Sequence, residues 1–247
     1  ANTTASNNTA VGRDALGATT TGERNTAVGQ QSFKTNTTGS YNTALGRSAL
    51  YGNTTASNNT AVGYEALYAN TTGTSNVAMG RQAGAAITTG NENVFIGDNA
   101  GSGQITTNGN VAIGHQALYN QTNGAYNVAI GIHSLYNGSD GHSNTCLGYS
   151  AGYHTGNGYR NVAIGYSVSI PSNSNHRFAI GYNNAGGSNT QDHAFSVHSG
   201  GTNYVRLLTG STTVQANSDE RLKKDIEDCT YGLSFINRLR PVNYKLK

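Results

Sequence analysis

The sequence predicts an all-β chain: a parallel β-solenoid or β-roll of 17-residue repeats, followed by a short C-terminal α-helical segment. Three observations carry that prediction. A nine-residue phrase recurs as NTAVGRDAL at 8–16, NTAVGQQSF at 25–33, NTALGRSAL at 42–50 and NTAVGYEAL at 59–67. Charged residues are only 11% and hydrophobic ones 35%, against about a quarter and almost half in ordinary domains. The composition then reverses at the end, where residues 219–247 hold 12 of the 27 charged residues.

The repeat comes first. The Gly closing each phrase falls at Gly12, Gly29, Gly46, Gly63, Gly80, Gly97, Gly114, Gly131, Gly148 and Gly165, always 17 apart, and then at Gly181 after 16. Four residues earlier stands an Asn, from Asn8 to Asn161, replaced by Arg177 in the shortened last unit. A large aliphatic precedes each Gly, from Val11 to Ile180, and before it comes Ala in every unit except Phe95 and Cys146. A second apolar pair follows the Gly, as in Ala49-Leu50 and Ala117-Leu118, and the rest is Asn/Thr/Gly-rich turn. Low apolar content alone fits disorder, but disorder also wants high net charge, and the chain carries only +3. Stacked coils need fewer apolar residues because each buries its inner side chains against near-identical neighbours.

Each five-residue stretch such as NVAIG therefore reads as a strand whose side chains alternate between two faces. The expectation is that the aliphatic fills the coil interior, while Ala on the other face lets something approach closely. Helical repeats are disfavoured by the scarcity of strong helix formers. A column of Asn can hydrogen-bond along the stack and tolerates the left-handed backbone of tight corners. At about 4.8 Å per strand step, eleven coils make a rod roughly 50 Å long. Its core is thin, so several chains are expected side by side.

The phrases NTAVG, NVAIG and NVAMG resemble the Asn-x-Ala-aliphatic-Gly repeat of trimeric autotransporter adhesin heads. That resemblance covers residues 1 to about 185 and implies a trimeric β-roll, although the family's repeats are typically shorter. The domain reading is thus a repeat domain over 1–185, a β-rich neck over 186–217 and a helical module over 218–247. In the neck, HAFSVHS (193–199) and NYVRLLTG (203–210) alternate as strands of a hairpin.

In the last segment Leu222, Ile226, Cys229, Leu233 and Ile236 form a helical apolar stripe. Ser218 is placed as an N-cap with Asp219 and Glu220 in the first turn. Gly232 splits the stripe, and Pro241 ends it. The segment SDERLKKDIEDCTYGLSFINRLRPVNYKLK resembles the start of the intramolecular chaperone of endosialidase-type tailspikes and tail fibres. The resemblance implies a module that helps a trimeric β-fibre fold and then cuts itself off. It implies Ser218 as nucleophile and Lys223 as general base, acting at the Asn217–Ser218 bond. By spacing alone, Ser218 is an ordinary cap and Lys223 a solvated helix lysine.

Other chemistries are poorly supported. The slight, unclustered basicity argues against nucleic acid, and no apolar run is long enough to insert in a membrane as a helix. Cys146 and Cys229 make no metal or disulfide framework; Cys146 replaces Ala and reads as a small buried hydrophobe. His115, His133, His142, His154, His176, His193 and His198 read as surface residues rather than metal ligands, with His193 and His198 the pair able to form rings about a trimer axis. Asp is too rare for a calcium solenoid, and GSGQITTNGN lacks the Lys of a phosphate loop. No cofactor is implied. Tyr64, Tyr149 and Tyr166 share the position after the Gly, while Tyr68, Tyr119 and Tyr136 follow the second apolar site; these six are candidates for glycan contact or simple coil cover. The Thr positions are read as drifting between repeats, which disfavours an ice-binding face.

The expectation is a structural and adhesive fibre, a homotrimer contacting other fibre or baseplate proteins and a cell-surface receptor. Its place is extracellular, on a virion as a tail fibre or on a cell-surface particle such as a contractile injection particle. The alternatives are a bacterial surface adhesin head and a self-cleaving Ser-Lys module active once per chain.

Overall fold

One short strand per repeat, closed by a glycine, builds one rung of a ladder. The computed structural model describes residues 4–103 and 106–183 and three later strands. The rungs are Thr9–Val11 (β1), Thr26–Val28 (β2), Thr43–Leu45 (β3), Thr60–Val62 (β4), Val77–Met79 (β5), Val94–Ile96 (β6), Val111–Ile113 (β7), Val128–Ile130 (β8), Thr145–Leu147 (β9), Val162–Ile164 (β10) and Phe178–Tyr182 (β11). Each pairs in parallel with the next, position on position: Thr26 with Thr43, Ala27 with Ala44, Val28 with Leu45. The result is an all-β solenoid of eleven parallel strands, with no helix among the described residues.

The sheet outlasts the period. Ala194–Ser199 (β12) pairs in parallel with β11, placing Phe195 opposite Phe178 and Val197 opposite Ile180. Tyr204–Leu208 (β13) returns antiparallel to β12, which is the hairpin expected from the alternating stretches. A further strand, Val214–Ala216 (β14), pairs antiparallel to β13; its three residues are too short to show alternation. The chain divides into two compact units, Ala1–Asn217 and Ser218–Lys247. The helical stripe expected after Ser218 lies outside the described residues.

The strand parity is the reverse of the expectation. Ala44, Ala78 and Ala129 are fully buried, while their C-terminal neighbours Leu45, Met79 and Ile130 are 45%, 42% and 38% exposed. The reason is volume. Across the interior from the strand stands a column of large side chains, Leu16, Phe33, Leu50, Leu67, Leu118 and Leu135, all buried. Between that column and the strand only a methyl fits. The two exceptions support this reading. Phe95 replaces Ala where the facing column has shrunk to Gly84 and Gly101; a Cβ on Gly84 would lie 2.7 Å from the Phe95 ring. Cys146 likewise packs where the facing residue is Gly152. Burial pushes the Cys146 thiol up to about 12, so it is an inert core residue, as the sequence implied.

The Asn column is an internal spine. Asn59 Oδ1 accepts the backbone N–H of Asn76 at 2.9 Å, and Asn76 Oδ1 accepts that of Asn93 at 3.0 Å. Each Nδ2 turns to a turn carbonyl, as Asn59 to Gly73 at 2.8 Å. The spine ends where Arg177 N–H donates to Asn161 Oδ1. A buried polar group costs free energy unless paired, and here every unit offers its neighbour the same partner. The closing glycines are compelled: Gly97 has φ +132°, and a Cβ there would lie 2.6 Å from the Gly114 carbonyl oxygen. The Thr positions, read as drifting, are in fact columnar. Thr20, Thr37, Thr54 and Thr71 each donate a hydroxyl to the carbonyl of the Thr or turn residue one coil on. Beside them Thr21, Thr38, Thr55, Thr72 and Thr89 stand exposed in a file one residue wide.

Candidate interaction surfaces

With Ala turned inward, the other two positions of every strand point outward. The first is Thr in β1 to β4, Val in β5 to β8 and β10, Thr145 in β9 and Phe178 in β11. The third is Val, Leu, Met or Ile throughout. Together they form a two-column ladder without a single charge, eleven rungs long, aliphatic throughout in the third position and Thr, Val or Phe in the first, half-buried to exposed in the single chain. Monomeric soluble proteins rarely expose contiguous apolar area beyond a few hundred Å². A run of this kind is a candidate interaction face.

A second surface lies on the segment following each closing Gly. There the backbone makes a tight turn in which two side chains sit at positive φ, such as Glu65 (55°) and Leu67 (51°) in one coil. That conformation turns Leu inward and presents the residues on either side of the buried pair to solvent. Of the six Tyr residues singled out from sequence, the structure brings two pairs together. Tyr119 and Tyr136 stack at 5.2 Å between ring centroids and 13° between planes. Tyr149 and Tyr166 stack at 5.0 Å and 11°. Tyr64 and Tyr68 belong to the fourth coil and make other contacts: Arg47 lies 5.5 Å over the Tyr64 ring, and Tyr68 stacks on Tyr51 at 5.1 Å.

Sequence reasoning missed three further members. Tyr153 continues the Tyr136 stack at 4.9 Å and 4°, Tyr182 continues the Tyr166 stack at 5.2 Å, and Tyr51 pairs with Tyr68. The signal was available, since Tyr119, Tyr136 and Tyr153 are 17 apart. His133 joins the two longer ladders, its ring 5.4 Å from Tyr136, 6.3 Å from Tyr153 and 6.1 Å from Tyr149. Its Nε2 lies 3.0 Å from Gln116 Oε1. Burial, with Tyr153 and Tyr119 on either side, raises the Tyr136 phenol above its usual range. The Tyr64 phenol is raised mainly by its hydrogen bond to Glu65, whose carboxyl the same bond lowers.

Among the described residues no three His, Cys, Asp or Glu side chains gather as metal ligands. His115 tilts against the His133 ring at 5.5 Å, and His142 Nδ1 accepts the Ala125 N–H at 3.1 Å. His154 packs edge-on to Tyr153, and His176 to Tyr159. His193 lies outside the described residues, and of His198 only the backbone position in β12 is described. Asn217, Ser218 and Lys223 also lie outside them. No helix of the described residues is long and apolar enough to cross a membrane.

Comparison with known proteins bears on the end of the chain. The family model for the chaperone of endosialidase, peptidase S74, matches residues 218–247. No curated protein and no solved structure matches the chain. The chain therefore joins a β-solenoid to a C-terminal segment that matches the chaperone-of-endosialidase model.

Proposed function

We propose that this chain is a structural fibre protein that works as a homotrimer, with the outward strand ladder as the interface between copies. The observation that carries the reading is the ladder itself, aliphatic in its third column and uncharged over eleven rungs. Full burial contributes about 1.5–3 kcal/mol for each Val, Leu, Ile or Met. Three identical ladders facing one axis satisfy that demand by repeating one contact, and each chain supports the register of the next. The number three rests on the resemblance to trimeric adhesin heads and on the chaperone-type segment. The combination fits a tail-fibre-like protein of a phage or contractile injection particle, which extends or presents a receptor-binding surface.

The C-terminal segment would serve trimer assembly and act chemically once. Ser218 Oγ attacks the Asn217 carbonyl carbon, Lys223 takes up the hydroxyl proton and passes it to the Ser218 nitrogen, and the C–N bond breaks to release that nitrogen as the free amine. Water then hydrolyses the ester joining Asn217 to Ser218 Oγ. Lys223 must be neutral to act, which burial against neighbouring cations would favour.

Native mass of the chain and of an Ile113→Asp, Ile130→Asp variant tests the assembly. A trimer that becomes a folded monomer on substitution supports the interface, whereas a monomeric parent chain overturns it. Cleavage is tested separately, on the product extended through the whole chaperone module. A parent cut after Asn217 beside an uncut Ser218→Ala variant supports self-cleavage.

A further inference from the structure

The segment after the closing Gly changes character along the rod. In the first six coils it carries Arg13, Asp14, Lys34, Arg47, Glu65, Arg81 and Asp98. Several are engaged with one another; Arg81 Nε lies 2.9 Å from Asp98 Oδ1, and Lys34 Nζ 3.8 Å from Asp14 Oδ2. From the seventh coil onward, over 115–120, 132–137, 149–154 and 166–171, the same segment has no Lys, Arg, Asp or Glu. Tyrosine replaces charge there, in the two ladders joined by His133.

Within each ladder the ring faces are taken by neighbouring rings at 4.9–5.2 Å. No sugar ring fits between them, so the face-stacking contact expected from sequence is largely used up inside the protein. What the ladders offer outward is their hydroxyl edges. Among the described residues none of the hydroxyls of Tyr119, Tyr136, Tyr153, Tyr149 or Tyr166 is engaged in a hydrogen bond. The ladders overlap in the ninth coil, which carries both Tyr149 and Tyr153, and beside Tyr149 and Tyr166 the column of His133 continues as Ser150 and Ser167, held by N–H bonds to Ile132 and Tyr149 carbonyls at 2.9 and 2.7 Å. These small, half-buried side chains leave the tyrosine edges beside them uncovered, and His133 stands at the near end of the column.

We propose that this uncharged, tyrosine-edged face of coils seven to eleven binds a neutral, extended 1,4-linked hexose or N-acetylhexosamine chain lying along the stack of coils. The spacing of tyrosine edges, at least one per coil with ring centroids 4.9–5.2 Å apart within each ladder, is close to the advance of one residue in such a chain, so successive sugars each meet a tyrosine hydroxyl. The absence of fixed cations on this segment disfavours acidic polysaccharides. The inference rests on the receptor-presenting reading above, and it names the receptor's chemistry.

The test is calorimetric titration of the intact chain with cellohexaose and chitohexaose, and with a sialic acid hexamer as the anionic comparison. The expected result is binding of a neutral hexamer that is insensitive to salt and falls about tenfold or more in Tyr153→Ala or Tyr166→Ala. Tyr51→Ala, in the third coil, leaves it unchanged. Ser150→His copies a residue that this column already holds at His133, so it tests blockage of the face beside Tyr149 without removing a ladder; it should also abolish binding. Preference for the sialic acid hexamer, binding of neither neutral hexamer, or equal loss in Tyr51→Ala overturns the proposal. A chain that is trimeric by native mass yet binds no neutral hexamer overturns this inference alone and leaves the fibre reading standing.

Discussion

The two faces of a single strand obey different rules. Inward, Ala27, Ala44, Ala61, Ala78, Ala112, Ala129 and Ala163 repeat unchanged, and each exception is matched by a Gly across the core. Outward, the third position wanders among Val, Leu, Met and Ile, and the first moves from Thr to Val to Phe. The inner face is governed by volume, because close-packed interiors register a change of even one methylene. The outer face keeps an aliphatic third position but not its shape, which the proposed contact with another copy accommodates.

That contrast can be broken from the inside first. Gly63→Val puts a branched side chain at φ +135° against the next coil's backbone. A cost above roughly 3 kcal/mol is expected, read as loss of the cooperative melting transition. Ala112→Phe should destabilise by about 1–3 kcal/mol through overpacking. Adding Leu118→Gly should recover part of that loss, since it recreates the arrangement around Phe95. A double-mutant cycle in denaturant shows the coupling, and strict additivity would contradict the volume account.

Smaller effects sharpen the picture of the spine and the surface. Asn93→Ala removes the acceptor of the Asn110 N–H (2.9 Å) and the donor to Asn76 Oδ1 (3.0 Å). A loss of about 1–3 kcal/mol is expected in chemical denaturation. Arg47→Ala removes the guanidinium over Tyr64 and should change stability by no more than about 1 kcal/mol, detectable as a slight shift in melting temperature.

Much of the architecture was legible because it is periodic. The spacing of Gly12 to Gly165 located ten strands, and the alternation of 193–199 and 203–210 located the hairpin. Parity was not legible. In NVAIG both faces carry apolar residues, so the pattern alone does not say which faces in; that depends on how far the Leu50 column reaches across a coil of this width. Straightness of the Thr file was legible but overlooked, as Thr21, Thr38, Thr55, Thr72 and Thr89 are spaced 17 apart. The tyrosine ladders were half legible: the residue types stood out, yet stacking consumes the ring faces, and only the structure reveals that.

The most direct test of the central claim asks whether the outer strand face is covered. Ile113→Cys and Ile132→Cys, each in a Cys229→Ser background, place one thiol on the strand ladder and one on the segment after the Gly. Buried Cys146 serves as the silent reference. The account predicts that the native assembly leaves the thiol at 113 unlabelled by maleimide while that at 132 reacts fully, and that mild oxidation joins chains through position 113. Rapid labelling at 113 in the native chain, with no cross-linked species, would contradict it.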